Sequence, residues 1–100
     1  MQETIRQIYE RLLNRVVVPI CEKYTKINIS PSMKRDFEND VRRAMDPYVR
    51  NKDIDNYNIK CDDTINYKEE MESKVVNFIF TVNRGSENEG ARNWFKSRKV

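Results

Sequence analysis

The spacing of apolar residues changes once along this chain, and that change limits the fold more than any other feature. Up to Tyr48 the apolar residues recur at steps of three and four; from Tyr57 they alternate. Ile5, Ile8, Tyr9, Leu12, Leu13, Val16, Val17 and Ile20 form one continuous stripe, which predicts an amphipathic helix with Thr4 as its N-cap. Pro19 is expected to kink or end this helix, because it lacks an N–H and crowds the preceding turn. Ser30-Pro31 opens a second helix, with Phe37, Val41, Met45 and Tyr48 on its apolar side. Its other side, with Lys34, Arg35, Glu38, Asp40, Arg42 and Arg43, reads as solvated, and Asp46-Pro47 marks its exit.

Alternation then takes over. Tyr57, Ile59 and Cys61 alternate with Asn58 and Lys60, the pattern of a half-buried strand. A polar link with room for one helical turn around Lys68–Glu72 leads to "KVVNFIFTV". There Val76, Phe78, Phe80 and Val82 share one face, and Val75, Ile79 and Thr81 share the other. Helices followed by strands give an α+β class: two amphipathic helices packed on a small antiparallel sheet. The expected core is Ile8, Leu12, Val16, Phe37, Val41, Tyr57, Ile59, Phe78 and Phe80. Two strands alone are marginal and leave their edges unpaired, so the sheet is expected to be completed by strands from neighbouring subunits.

The donor is expected to be the end of the chain. Both glycines, Gly85 and Gly90, fall in residues 84–100, followed by Trp94-Phe95 among basic side chains. Residues 1–83 therefore read as the α+β domain and 84–100 as an extended C-terminal arm. Arg92, Trp94, Phe95, Lys96 and Arg98 are the expected subunit-interface residues, with the rings as anchors. Acidic residues outnumber basic ones in 51–83, and the reverse holds in 84–100, so the arm of one copy could face Asp62–Glu72 of another.

Composition narrows the function classes. The 100 residues carry a net charge of +3, mild for a dedicated nucleic-acid binder. No apolar run approaches the ~20 residues that cross a bilayer, so no membrane is expected. There is no histidine, the commonest general base. Cys21 and Cys61 are isolated thiols, read as small buried hydrophobes rather than metal ligands. No metal, cofactor or catalytic residue is expected, and the chain reads as a non-enzyme.

The stretch "YNIKCDDTINYKEEMESKVVNFIFTV" resembles the C-terminal, tube-facing inner domain of contractile phage tail sheath proteins. That domain typically reads Y-x-V-x-C-D-x-x-N-N-x-x-E, then a short link and an alternating strand. Tyr57, Ile59, Cys61, Asp62, Asn66 and Glu69 fall at matching positions. One asparagine of the family's pair is Ile65 here, and Ser73-Lys74 stands where a small residue or glycine usually precedes the last strand. The resemblance implies a structural virion protein: a minimal sheath-like subunit made in the host cytoplasm. It would join copies of itself, or other tail proteins of the sheath, tube, neck or baseplate, by strand exchange. Asp62 and Asn66 are expected to satisfy backbone groups where the strand ends.

Two other readings compete. Asp62 or Asp63 with Glu72-x-Lys74 has the spacing of a magnesium-dependent nuclease core, but such a triplet arises by chance in a chain with 35% charged residues. The alternative to assembly is a small nucleic-acid-binding module, in which Trp94 and Phe95 stack on bases while Arg92, Lys96, Arg98 and Lys99 hold phosphates. Nucleic acid is the less favoured partner.

Overall fold

A computed structural model describes residues 2–66 and 72–98. Glu69, Lys99 and most of the helical turn expected around Lys68–Glu72 lie outside the described residues. The first helical rod is α1 (Ile5–Leu12), a π-helical turn (Leu13–Val17) and α2 (Val18–Tyr24). Thr4 caps it in a reciprocal box: the Gln7 N–H donates to Thr4 Oγ1 at 3.1 Å, and the Thr4 N–H donates to Gln7 Oε1 at 2.9 Å. Pro19 does not end the rod, contrary to expectation. The Val18 N–H reaches back five residues to the Leu13 carbonyl, and this wider turn admits the proline just beyond it. Ile8, Leu12, Val16, Val17, Cys21 and Tyr24 stay buried across the turn.

Helix α3 (Pro31–Arg50) starts where Ser30 Oγ accepts the Met33 N–H at 3.0 Å. It also runs through its proline, Pro47: the missing N–H leaves the Arg43 carbonyl without its helical donor, but a single turn follows and the loss is confined to it. The true stop is a pair of reversed bonds. The Lys52 N–H donates to the Val49 carbonyl at 3.0 Å and the Asp53 N–H to the Tyr48 carbonyl at 2.9 Å, with Lys52 at φ 62°. Met33, Phe37, Val41 and Met45 face the core.

Three antiparallel strands follow in the order β1 (Asn56–Lys60), β2 (Val75–Arg84), β3 (Glu87–Lys96). The α+β arrangement of helices on one face of an antiparallel sheet is as expected, but the third strand comes from the same chain. Residues 84–100 are thus not an extended arm in this structure: Gly85 at φ 63° and Ser86 form a two-residue hairpin turn, and Val75–Arg84 pairs with Glu87–Lys96 along its whole length. Gly90 lies under Thr81, where a Cβ would fall 2.4 Å from Thr81 Oγ1. Both glycines serve the hairpin, not a departure from the domain.

Val76, Phe78, Phe80 and Val82 point to the helices with Ile59 and Phe95. Phe37 is the hub, with ring centroids 5.2 Å from Phe78, 5.4 Å from Phe95 and 5.7 Å from Tyr24. Of the expected core only Tyr57 is half-buried; the other eight are buried. Among the described residues no helix is long and apolar enough to cross a membrane.

Candidate functional site

The residues singled out around β1 gather at one edge of the sheet, against α3. Tyr57 and Ile59 point toward α3 by strand alternation, while Asn56, Asn58 and Lys60 point away. The Tyr57 hydroxyl donates to Asp46 Oδ1 at 2.6 Å and lies 3.2 Å from the Arg42 carbonyl oxygen. Burial, with the Asp46 carboxylate beside it, pushes this phenol up to about 12. Ile59 is buried, and Cys61 continues the inward face. The Cys61 N–H donates to Glu38 Oε2 at 2.9 Å, so α3 satisfies the main chain where β1 stops.

Beyond β1 the chain turns. Asp62 Oδ1 accepts from the Thr64 N–H at 2.9 Å and from the Thr64 hydroxyl at 2.5 Å. The hydroxyl chiefly, then the amide, holds the Asp62 carboxyl below the usual carboxylate range. The turn delivers Asn66, which is 3% exposed, to the middle of the sheet. Its Oδ1 accepts the Asn77 N–H at 2.7 Å, and its Nδ2 donates to the Asn77 carbonyl at 3.0 Å and to the Asp62 carbonyl at 2.8 Å. One side-chain amide thus pairs with β2 where the main chain of β1 has already left.

Lys34 is a residue that sequence reasoning misplaced. The helical pattern predicts it on the solvated side of α3, yet it is 3% exposed, with its ammonium on Asp63. Its place one residue after Met33, at the margin of the apolar stripe, was the available signal.

A cleft of about 350 Å³ separates α3 from the outer edge of β1. Arg42, Asp46, Val49 and Arg50 form one wall, and Asn56 and Asn58 form the other. No described strand pairs with that edge. Among the described residues no cluster of His, Cys, Asp or Glu could hold a metal ion. Asp62 is engaged by Thr64, and Glu72 and Lys74 precede β2 rather than lying on it.

The residues expected to anchor an arm are dispersed. Phe95 is buried among Phe37 and Phe78, whereas Trp94, on the opposite face of β3, is 65% exposed. Arg92 donates to the Ile65 carbonyl at 3.3 Å, Lys96 is exposed, and the Arg98 N–H donates to the Thr25 carbonyl at 2.6 Å. Arg98 is therefore tied to the α2–α3 loop of its own chain. Buried Cys21 and Cys61 are both thiols, and desolvation pushes each up to about 12. Compared with known proteins, the chain matches no family model, no curated protein and no solved structure.

Proposed function

We propose that the protein is a structural subunit of a phage tail, similar to a stripped-down inner domain of a contractile tail sheath, and that it assembles through strand exchange with neighbouring subunits. The observation that carries this reading is the open edge of β1 beside α3. The strand is five residues long, no described strand pairs with its outer side, where the Tyr57 N–H is held only by the neighbouring Asn56 side chain at 2.9 Å, and a cleft lined by Arg42 and Arg50 runs along it. An extended segment from another subunit would gain main-chain hydrogen bonds there and set its side chains against α3.

Two details support the resemblance. Asn66 stands at a family asparagine position and has a buried duty no other side chain type performs equally: it both donates to and accepts from one residue of β2. Lys74 stands where the family has a small residue or glycine, and its backbone is at φ 65°, the left-handed region that favours glycine. The acceptor edge lies in this domain; the donor is an extended segment of a neighbouring copy or of another tail protein, since residues 87–96 are already used within the chain. The reading makes the protein a virion component with no catalytic role.

Sedimentation and electron microscopy of the purified protein, alone and with a sheath or tube protein, test it. Rings, filaments or a stable complex are expected. Arg42→Glu with Arg50→Glu, on the exposed wall of the cleft, is expected to abolish them without changing the circular dichroism. A wild-type chain that stays monomeric under every one of these conditions, or a double variant that assembles as well as wild type, overturns the proposal.

A further inference from the structure

The sheet face turned away from the helices carries a chemistry that assembly at the β1 edge does not use. Alternation places Lys60, Ile79 and Arg92 in one row across the three strands. Trp94 and Lys96 follow Arg92 on the same face of β3, opposite Asn77 and Val75. The strand residues on this face include three cations and not one carboxylate, since Glu87 and Glu89 alternate to the helix side of β3. Trp94 is 65% exposed. Its ring is not needed for the core, because Phe95, its neighbour, fills that role from the other face.

A flat ring standing in water between two cations, each two residues away, recognises a ligand that is itself flat and anionic. Alternate residues on a strand are about 7 Å apart, comparable with the step between phosphates of an extended polynucleotide. We propose that this face binds single-stranded nucleic acid: a base stacks on Trp94, and Lys60, Arg92 and Lys96 face the flanking phosphates. Phe95 takes no part, being buried, and Lys60, on a distant stretch of sequence, joins the site only through the register of β1 with β2. The site is small, so affinity is modest and strongly dependent on salt. It is independent of the assembly reading, because it uses the exposed outward side of β3, beside the buried Asn77, and not the edge of β1.

Trp94 is the sole tryptophan, so its fluorescence reports on the site alone. Titration with a short single-stranded oligonucleotide at low salt is expected to quench it. With three cations, affinity is expected to fall roughly twentyfold between 50 and 200 mM salt. By anisotropy of a labelled oligonucleotide, Trp94→Ala is expected to weaken binding about tenfold or more, and Trp94→Phe is expected to restore part of it. Lys60→Glu with Lys96→Glu is expected to abolish binding and leave the circular dichroism unchanged. No quenching at low salt overturns the proposal. So does an equal response to polyglutamate, which would mark an electropositive patch for acidic peptides, or a double variant that binds as wild type does.

Discussion

Replacing Asn66 by alanine removes one side chain and takes a partner from three main-chain groups, the buried N–H and carbonyl of Asn77 and the carbonyl of Asp62. The expected loss is about 2–4 kcal/mol, read from urea unfolding. Asn66→Asp keeps an acceptor for the Asn77 N–H but turns an oxygen toward the Asn77 carbonyl, so it is expected to recover little. Two carboxyls set the behaviour in acid. Asp40 is held below its ordinary value first by the Tyr24 hydroxyl at 2.5 Å and then by Lys23, and Asp62 is held down by Thr64. A carboxyl with a lowered folded value prefers the folded state when ionised. Its contribution is present in full above the unfolded value of about 4 and is lost as pH falls below that. Thermal melting is therefore expected to be flat from neutrality down to about pH 5 and to drop below it. Asp40→Asn is expected to lower the plateau and make the drop shallower.

At the scale of elements, two turns with positive φ make opposite predictions. Gly85→Ala puts a Cβ on a φ of 63° with no neighbour within 4 Å, so the cost is purely conformational, about 1–2 kcal/mol. Lys52 holds φ 62° at the end of α3, and Lys52→Gly is expected to raise stability by about 0.5–1 kcal/mol in the same melting assay. The hairpin was legible in the sequence: Gly85-Ser86 sits between two segments of strand length, a standard two-residue turn signal. It was obscured because β3 is polar, with Phe95 its sole buried residue, so no alternation of apolar residues betrays it. The helices were legible because their stripes and caps are strong. Both prolines misled for one reason: a rule about an average helix interior does not foresee a π turn before Pro19 or a position in the last turn for Pro47. At the candidate site, Tyr57, Ile59 and Cys61 could be read from alternation, but the pairing of Asn66 with Asn77 is eleven residues long-range and has no local signature.

For the whole molecule, the consequence of an internal third strand is that 84–100 cannot be removed without harm. The deletion strips β2 of one partner along ten residues and takes Phe95 from beside Phe37 and Phe78. A chain ending at 83 is expected to be largely unfolded by circular dichroism, whereas an arm that merely reached a neighbour would leave the domain folded. Trp94→Ala alone, on the outward side of β3 with its ring 65% exposed, is expected to change stability by less than about 1 kcal/mol. The molecule is thin, 45 Å long and about 20 Å across, with one core between its two layers.

That thinness bears on the two thiols. Desolvation disfavours the thiolate of both at neutral pH while the chain is folded. Alkylating reagents at neutral pH therefore meet them only when the structure breathes. Cys61 is 1% exposed and Cys21 7%, and the two thiols are near enough for charge on one to bear on the other, so both are uncovered by the same parting of helices and sheet. Labelling of the native protein followed by mass spectrometry is expected to modify the two at similar slow rates, which mild denaturant is expected to raise together. The pair would then serve as a duplicate clock inside one molecule, each hand timing the separation of its two layers.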